Sequence, residues 1–414
     1  MSENDASANG SACPRQAELV RGTSVPDGQD IIVRIAARGD GVTESGRYIA
    51  LAAPGDLVDE AGAVTPGPHH AAPPCRHFPE CGGCQLQHVD DEAYRAYLVD
   101  RVAGALAAQD VAVPEIRPPH LSPPRSRRRA TLKAAGGSIG FNAAASHRIV
   151  DMRECHILRP ELFALVAPLR KLLNRSGEAV LTLADQGVDL SLSGVAADDL
   201  AAAEALGAFA SAHGLARLAV DDGYGPQIVW EPVPVTVTLG GVPVGLPPGA
   251  FLQATANGEA ALVESVREAV GDAATVADLF AGLGTFALAL DARVYAAEAS
   301  RDAALVLKTA AGAAGRPVFV EHRDLYRRPL ETAELDRLGA VALDPPRAGA
   351  EAQVENLAAS RVPRIAYVSC NPATFARDAK RLVAGGYRLE WVRPVGQFRW
   401  SVHVELAACF SRLA

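Results

Sequence analysis

No run of roughly 18 or more uninterrupted apolar residues occurs in this 414-residue chain, so no transmembrane helix is expected. The first residues, Met1 to Gln16, also lack an apolar run and carry Glu3 and Asp5. That argues against a secretory signal and for a cytoplasmic protein. An excess of positive charge is missing too. The formal net charge of -8 excludes a globally basic coat for nucleic acid, though not a local basic groove. Cysteine is scarce, with seven in the whole chain. Without a secretory signal these point to a reducing compartment, where clustered thiols mean metal or catalysis rather than disulfides. No internal repeat stands out. What is present, 49% apolar and 21% charged residues, is enough for two to four domains with cores of their own.

Along the chain, residues 1–26 are small and polar and read as a disordered tail. Residues 27–72 hold several short alternating stretches, such as Ile31-Ile32-Val33-Arg34-Ile35 and Tyr48-Ile49-Ala50-Leu51, separated by glycine turns. They suggest a small closed β-barrel. Residues 73–249 contain a cysteine segment, a helix from about Asp91 to Ala108, and an α+β region of strands and one or two helices. From residue 250 to 414 strands and helices alternate, the rhythm of a mostly parallel sheet with helices on both faces.

In that last region Asp278-Leu279-Phe280-Ala281-Gly282-Leu283-Gly284-Thr285-Phe286 reads as a strand ending in a glycine turn that opens a helix. Glycines there let backbone approach a ligand, and Phe280 can lie against it. Glu298 follows the next strand, where doubly wound sheets place the carboxylate that binds a ribose. Asp324, after Val318-Phe319-Val320, is placed to reach an adenine edge. The third glycine of the nicotinamide fingerprint is absent, so a nicotinamide cofactor is disfavoured. Further on, Asp344, Cys370 and Glu405 each sit at the edge of an apolar strand-like run. A thiol and two carboxylates so placed form a candidate covalent active site.

Phe251-Leu252-Gln253, Asp278 to Phe286, Asp344-Pro345-Pro346-Arg347, Ser369-Cys370-Asn371-Pro372 and His403-Val404-Glu405 together resemble the RNA uracil-5 methyltransferases. The resemblance is to the 23S ribosomal RNA branch, whose members carry an iron–sulfur cluster. It implies an α/β fold with a C-terminal class I, Rossmann-like methyltransferase sheet, an N-terminal OB-like barrel (TRAM) and a central α+β domain that binds the cluster and RNA. It also implies that Cys370 is the nucleophile towards carbon 6 of uracil and Glu405 the base, with His403 in support. Gln253, Phe280, Thr285, Glu298, Asp324 and Asp344 would then bind S-adenosylmethionine, and Phe251 would offer a stacking face for an extruded base. Two departures are visible. Thr285 stands where the family usually has Asn, weakening one polar contact to the cofactor. The family's Phe-Pro-x-Thr reads Phe398-Arg399-Trp400-Ser401 here, adding a charge and an aromatic face for RNA near the active site.

Cys75, Cys81 and Cys84, with the distant Cys155, offer four thiolates. Their spacing alone suits zinc or an iron–sulfur cluster, zinc being the commoner structural metal. The resemblance implies a four-iron (4Fe-4S) cluster. His77 and His156 are expected outside the ligand set, Cys13 in the tail, and Cys409 in the core. The run Arg125, Arg127, Arg128, Arg129 and Lys133 is a candidate face for RNA phosphate. The expected partner is therefore RNA, 23S ribosomal RNA foremost, with no membrane and no obligate protein partner. The competing expectations are a transfer-RNA uracil-5 methyltransferase and an inactive iron–sulfur RNA-binding protein.

Overall fold

The computed structural model describes residues 14–112, 115–173, 175–195 and 199–412. Cys13 lies outside them. The first element, the helix Pro14–Leu19, falls in the stretch expected to be a disordered tail. It is held because Gln16 is buried there. The backbone N–H of Gln16 donates to Asp100 (3.1 Å), and its side-chain oxygen accepts from the Ile35 N–H (2.8 Å). No composition rule for tails registers one buried glutamine with partners that far along the chain.

Strands Gln29–Ile35, Gly41–Thr43, Tyr48–Ile49, Leu57–Asp59 and Val64–Thr65 form a five-stranded antiparallel sheet. Tyr48–Ile49 and Val64–Thr65 are its two edges, and among the described residues they do not pair with each other. The expected closed barrel is thus a half-barrel. Outer strands of two residues offer too few ladder bonds to close it, and Ile35 and Ala53 instead join the main core. The helix Asp91–Ala107 starts where the Asp90 side chain accepts the Ala93 N–H (2.8 Å). It buries Tyr94, Tyr97, Leu98, Val102 and Leu106, the three-and-four spacing of one helical face. Among the described residues no helix is long and apolar enough to cross a membrane.

The central region is a six-stranded sheet in the order Pro226–Trp230, Arg217–Asp221, Gly187–Ser193, Gly177–Ala184, Arg129–Ala135, Ser138–Gly140. Three helices accompany it, Pro160–Phe163, Val166–Leu172 and Leu200–Ala212, one more than expected. The hairpin Thr236–Leu239/Val242–Gly245 turns the other way. Its Val237, Leu239, Val242 and Val244 share a core with the C-terminal sheet.

That sheet has eight strands, in the order Val318–His322, Arg293–Glu298, Thr275–Leu279, Ala340–Leu343, Arg364–Ser369, Glu405–Arg412, Tyr387–Gly396, His120–Leu121. The first five run parallel, and Glu405–Arg412 runs against both its neighbours. Alternate residues feed two cores. Leu279, Val341, Leu343, Ile365 and Tyr367 face one side; Val276, Ala340, Ala342, Ala366 and Val368 face the other. Strand order reverses at Thr275–Leu279, and ligands of doubly wound sheets bind at the carboxyl ends beside such a switch. The last strand, His120–Leu121, is supplied from far upstream. One expected element is missing: residues 282–289 follow single turns, not a regular helix.

Candidate active site

The glycine turn is shaped by backbone that few residues adopt. Phe280 has φ 65°, Gly282 φ 55° and Gly284 φ 96°. A Cβ on Gly284 would lie 2.3 Å from Cδ1 of the buried Leu307, so glycine is what lets the turn pack against the helix Arg301–Ala313. Glu298 completes the turn, accepting the N–H of Gly282 (2.8 Å) and of Ser300 (2.6 Å). A carboxylate has about four lone-pair directions, so two remain for a ligand's hydroxyls. Asp324 accepts the Tyr326 N–H (3.0 Å), and the Tyr326 ring lies 5.6 Å from that of Phe280. Beneath the turn Asp278 is fully buried. One oxygen accepts the Ala287 N–H (2.8 Å) and the other has no protein partner. Burial foremost, with Asp344 and Glu298 nearby, pushes its carboxyl up to about 8.

Sheet register places the reactive groups. Leu343 pairs with Tyr367, and Ser369 pairs with Leu406. The next residues, Asp344, Cys370 and Glu405, therefore meet at one edge of three adjacent strands. They line a cleft of ≈1370 Å³ together with Phe280, Glu298 and Asp324. Cys370 is half-buried. Burial pushes its thiol up to about 11, the Glu405 and Asp344 carboxylates add to this, and Arg347 opposes it. Glu405 is buried at 5% exposure, and its carboxyl is pushed up to about 8 by burial and then by Asp344. Asp344 reaches the cleft yet is so enclosed that desolvation pushes it up to about 7. Desolvation, with Arg347 and Arg127, holds His403 below the usual imidazole value.

Two buried amides connect the carboxyls. Gln253 donates to Asp344 (3.3 Å), and Gln397 donates to the side-chain oxygen of Gln253 (2.8 Å) and contacts the Glu405 carboxyl. Phe251, 66% exposed, stands on the rim.

A second, smaller cavity is lined by Cys75, Cys81, Cys84 and Cys155, all with free thiols. Burial raises each thiol, Cys84 to about 12, and neighbouring thiolates add to the rise at Cys81, Cys84 and Cys155. Four thiols that destabilise one another's charge suit a cation. Four free thiols lining one cavity fit a zinc ion or an iron–sulfur cluster. His77 is otherwise engaged, its Nε2 accepting the Arg153 N–H (3.0 Å).

Comparison with known proteins decides the family. Residues 319–413 match the family model "tRNA (Uracil-5-)-methyltransferase". An uncharacterized RNA methyltransferase of Zymomonas mobilis is 52% identical, over 92% of this chain and 99% of its own. The 23S rRNA (uracil(1939)-C(5))-methyltransferase RlmD of Chromohalobacter salexigens is 33% identical, over 99% of this chain and 90% of its own. The chain belongs to the RNA (uracil-5-)-methyltransferase family. It is thus an RNA methyltransferase, and carbon 5 of uracil is the position its family modifies. The fold agrees with the crystal structure of the tRNA (uracil-54, C5)-methyltransferase of Pyrococcus abyssi with S-adenosyl-L-homocysteine. That match has a TM-score of 0.72 at 21% identity and covers 92% of this chain and 99% of the other.

For this uracil-5 methyltransferase, eleven of the twelve site residues expected from sequence line one of the two cavities. Thr285, half-buried in the glycine turn, is not among the residues that line either cavity. The basic run divides. Arg127 and Arg129 reach the cleft, Arg128 turns inward to Glu259 (2.6 Å), and Lys133 is paired with Glu178. Arg399 and Trp400 are not offered to RNA either. Arg399 pairs with Asp91, and Trp400, 8% exposed, packs with Cys84 and Ile157. Sequence reasoning missed Asp278 and Gln397. The first sits inside the quoted motif and was readable; the second matches no motif.

Proposed function

We propose that this enzyme transfers a methyl group from S-adenosylmethionine to carbon 5 of a uridine in RNA through a covalent Cys370 adduct. The observation that carries this reading is the meeting of Cys370, Glu405 and Asp344 in the cleft that the glycine turn also lines. The donor, when bound, supplies an electrophilic methyl. Phe280, Glu298 and Asp324 hold it, Glu298 through its two remaining acceptor positions.

Cys370 must lose its proton to act, and Arg347 is the nearby cation that favours the thiolate. Its sulfur bonds to carbon 6 of uracil, and the ring's electron pair moves to the carbonyl oxygen at position 4. Carbon 5 is then nucleophilic and takes the methyl. Glu405 removes the remaining proton from carbon 5; that pair re-forms the 5,6 double bond and Cys370 leaves. A base raised to about 8 fits the task, since it holds the abstracted proton firmly near neutral pH. The uridine has to leave its stack to enter the cleft, and Phe251 on the rim offers a stacking face.

For the target, 23S ribosomal RNA is favoured by the relative named for that RNA, which matches 99% of this chain, half-barrel and cysteine segment included. For the second cavity our reading is a four-iron cluster held by Cys75, Cys81, Cys84 and Cys155, supported by four free thiols lining one cavity and by the relative named for 23S rRNA, whose match includes this segment. It would join the cysteine loop to the central sheet.

The mechanism is tested with 5-fluorouridine RNA, whose fluorine Glu405 cannot remove. A covalent complex forms with the wild type and not with Cys370→Ala. No adduct with the wild type, or one that survives the substitution, sinks the mechanism. Mapping 5-methyluridine in ribosomal and transfer RNA from a deletion strain tests the target. Iron, sulfide and zinc content of an anaerobic preparation test the cluster.

A further inference from the structure

Gln397 follows the strand Tyr387–Gly396, whose Val395 pairs with Glu405. It is 2% exposed, and every polar atom of its side chain has a partner. Its oxygen accepts the backbone N–H of Ala254 (3.1 Å), which settles which way the amide faces. The nitrogen must then point into the site, with one N–H to Gln253 (2.8 Å) and the other towards the Glu405 carboxyl. Because the Gln253 oxygen is the acceptor, its own NH2 is turned to Asp344 (3.3 Å). Two amides thus lie head to tail between two carboxyls, Gln253 donating to Asp344 and Gln397 donating to Gln253 with its remaining N–H turned towards Glu405. Reversing either would set a carbonyl oxygen against a carboxylate.

The room for this arrangement is specific. A Cβ on Gly258 would lie 2.7 Å from the Gln397 Cβ and 2.7 Å from the Thr255 Oγ1. Glycine at 258 is therefore what lets Gln397 sit down on the helix Ala256–Val270. Glu405 is faced by Asp344, which disfavours its charge; Cys370, Arg347 and His403 line the same cleft, Arg347 near Cys370 and the His403 ring against Phe398. The Gln397 amide is the group that offsets burial and Asp344 at Glu405.

We propose that Gln397 is a positioning residue for proton abstraction: fixed by Ala254, its amide aims the Glu405 carboxylate at carbon 5 and, through Gln253, ties it to Asp344. This rests on the uracil-5 reading. The donor at Gln397 favours the ionised base, the form that can take a proton, and it restrains Glu405 against swinging towards Cys370. Its role falls in the second half of the reaction. Cys370 addition needs the thiolate and Arg347, whereas the polar partners of the Gln397 side chain are Ala254, Gln253 and Glu405.

The test is single-turnover reaction of full-length enzyme with uridine RNA over a pH series, following the covalent adduct as it forms and decays. With Gln397→Leu, adduct formation should stay within about twofold of wild type. Decay should slow about tenfold near neutral pH and recover at higher pH, its midpoint moved up by about one unit. Gly258→Ala, which keeps the amide but displaces it, should move the decay step the same way by a smaller factor. It also serves where Gln397→Leu folds poorly by its melting curve. An unchanged decay profile in the variants, or equal slowing of formation and decay, overturns the positioning role while leaving the mechanism in place. Absence of any adduct in wild type overturns both.

Discussion

The backbone N–H of Gln85 donates to the Trp400 carbonyl across 2.8 Å, and that of Leu86 donates to the same oxygen across 2.9 Å. Cys84 is the neighbour of one partner, and the loop leading to Glu405 contains the other. Tyr94 and Tyr97 hold the same loop, their hydroxyls donating to the carbonyls of Ser401 (3.0 Å) and Val402 (3.2 Å). Removing the metal group proposed for the four thiols should therefore loosen the loop that carries the base. Amide hydrogen exchange over residues 398–404 is expected to rise in metal-depleted protein or in Cys84→Ser. Exchange in the strand Arg364–Ser369 should stay slow. Equal protection of residues 398–404 with and without the metal group would contradict this.

Glu405→Gln should trade function for stability. The folded carboxyl titrates near 8 against 4.5 for an ordinary glutamate, so folding favours its protonated form. Its stabilising contribution is complete below about 4.5 and fades as pH rises to about 8. A neutral amide does not carry that loss. The variant is expected to melt a few degrees higher at pH 8, on the order of a few kcal/mol, and no higher at pH 4. It should also accumulate the covalent adduct on uridine RNA, because the carbon-5 proton stays in place. Melting curves at the two pH values and denaturing gels of the reaction check the two halves separately.

Gly284→Ala and Gly282→Ala separate crowding from backbone strain. Both glycines have positive φ, but a Cβ at 282 meets nothing within 4 Å, whereas one at 284 meets Leu307. The first should cost about 1 kcal/mol. The second should cost a further 1–3 kcal/mol, roughly the cost of overpacking a core. The difference is read from chemical denaturation. S-adenosylhomocysteine titration should show Gly284→Ala losing at least about tenfold in affinity, because the turn carrying Gly282 and Phe280 is displaced.

The central sheet contains a charge pair sealed from water. Arg217 and Asp189 are 3% and 4% exposed and share two hydrogen bonds of 2.8 Å, with a third from Arg217 to the Leu246 carbonyl. Arg217→Met leaves an uncompensated buried carboxylate and should cost about 3–5 kcal/mol. Adding Asp189→Leu should recover most of it. Denaturation of the single and double variants checks this; the adduct on 5-fluorouridine RNA, measured per folded molecule, should not change.

Much of the catalytic edge was legible because it depends on local order. Asp344, Cys370 and Glu405 each adjoin an apolar strand, and parallel sheets bring strand ends together whatever lies between them. The helix expected from about Asp91 to Ala108 is found at Asp91–Ala107, where Asp90 caps it and apolar residues three and four apart form its buried face. What escaped depends on partners remote in sequence. Arg128 looked like its neighbours Arg127 and Arg129 until Glu259, 131 positions away, turned it inward. Gln16 looked like tail until Asp100 and Ile35 buried it. Gln397 carries no signal of its own, since a lone glutamine gains its meaning from Ala254, Gln253 and Glu405 around it.

The strand His120–Leu121 lies parallel to Val395–Gly396 and finishes the outer edge of the methyltransferase sheet. A segment made early in synthesis thus waits for one made some 275 positions later. The catalytic half cannot be finished by its own residues. Cut free, it would expose unpaired backbone groups between Val392 and Gly396, an open template for another chain. The order of assembly follows: the upstream half has to be in place when the last two long strands emerge, and the cleft is complete only once the chain has closed on itself.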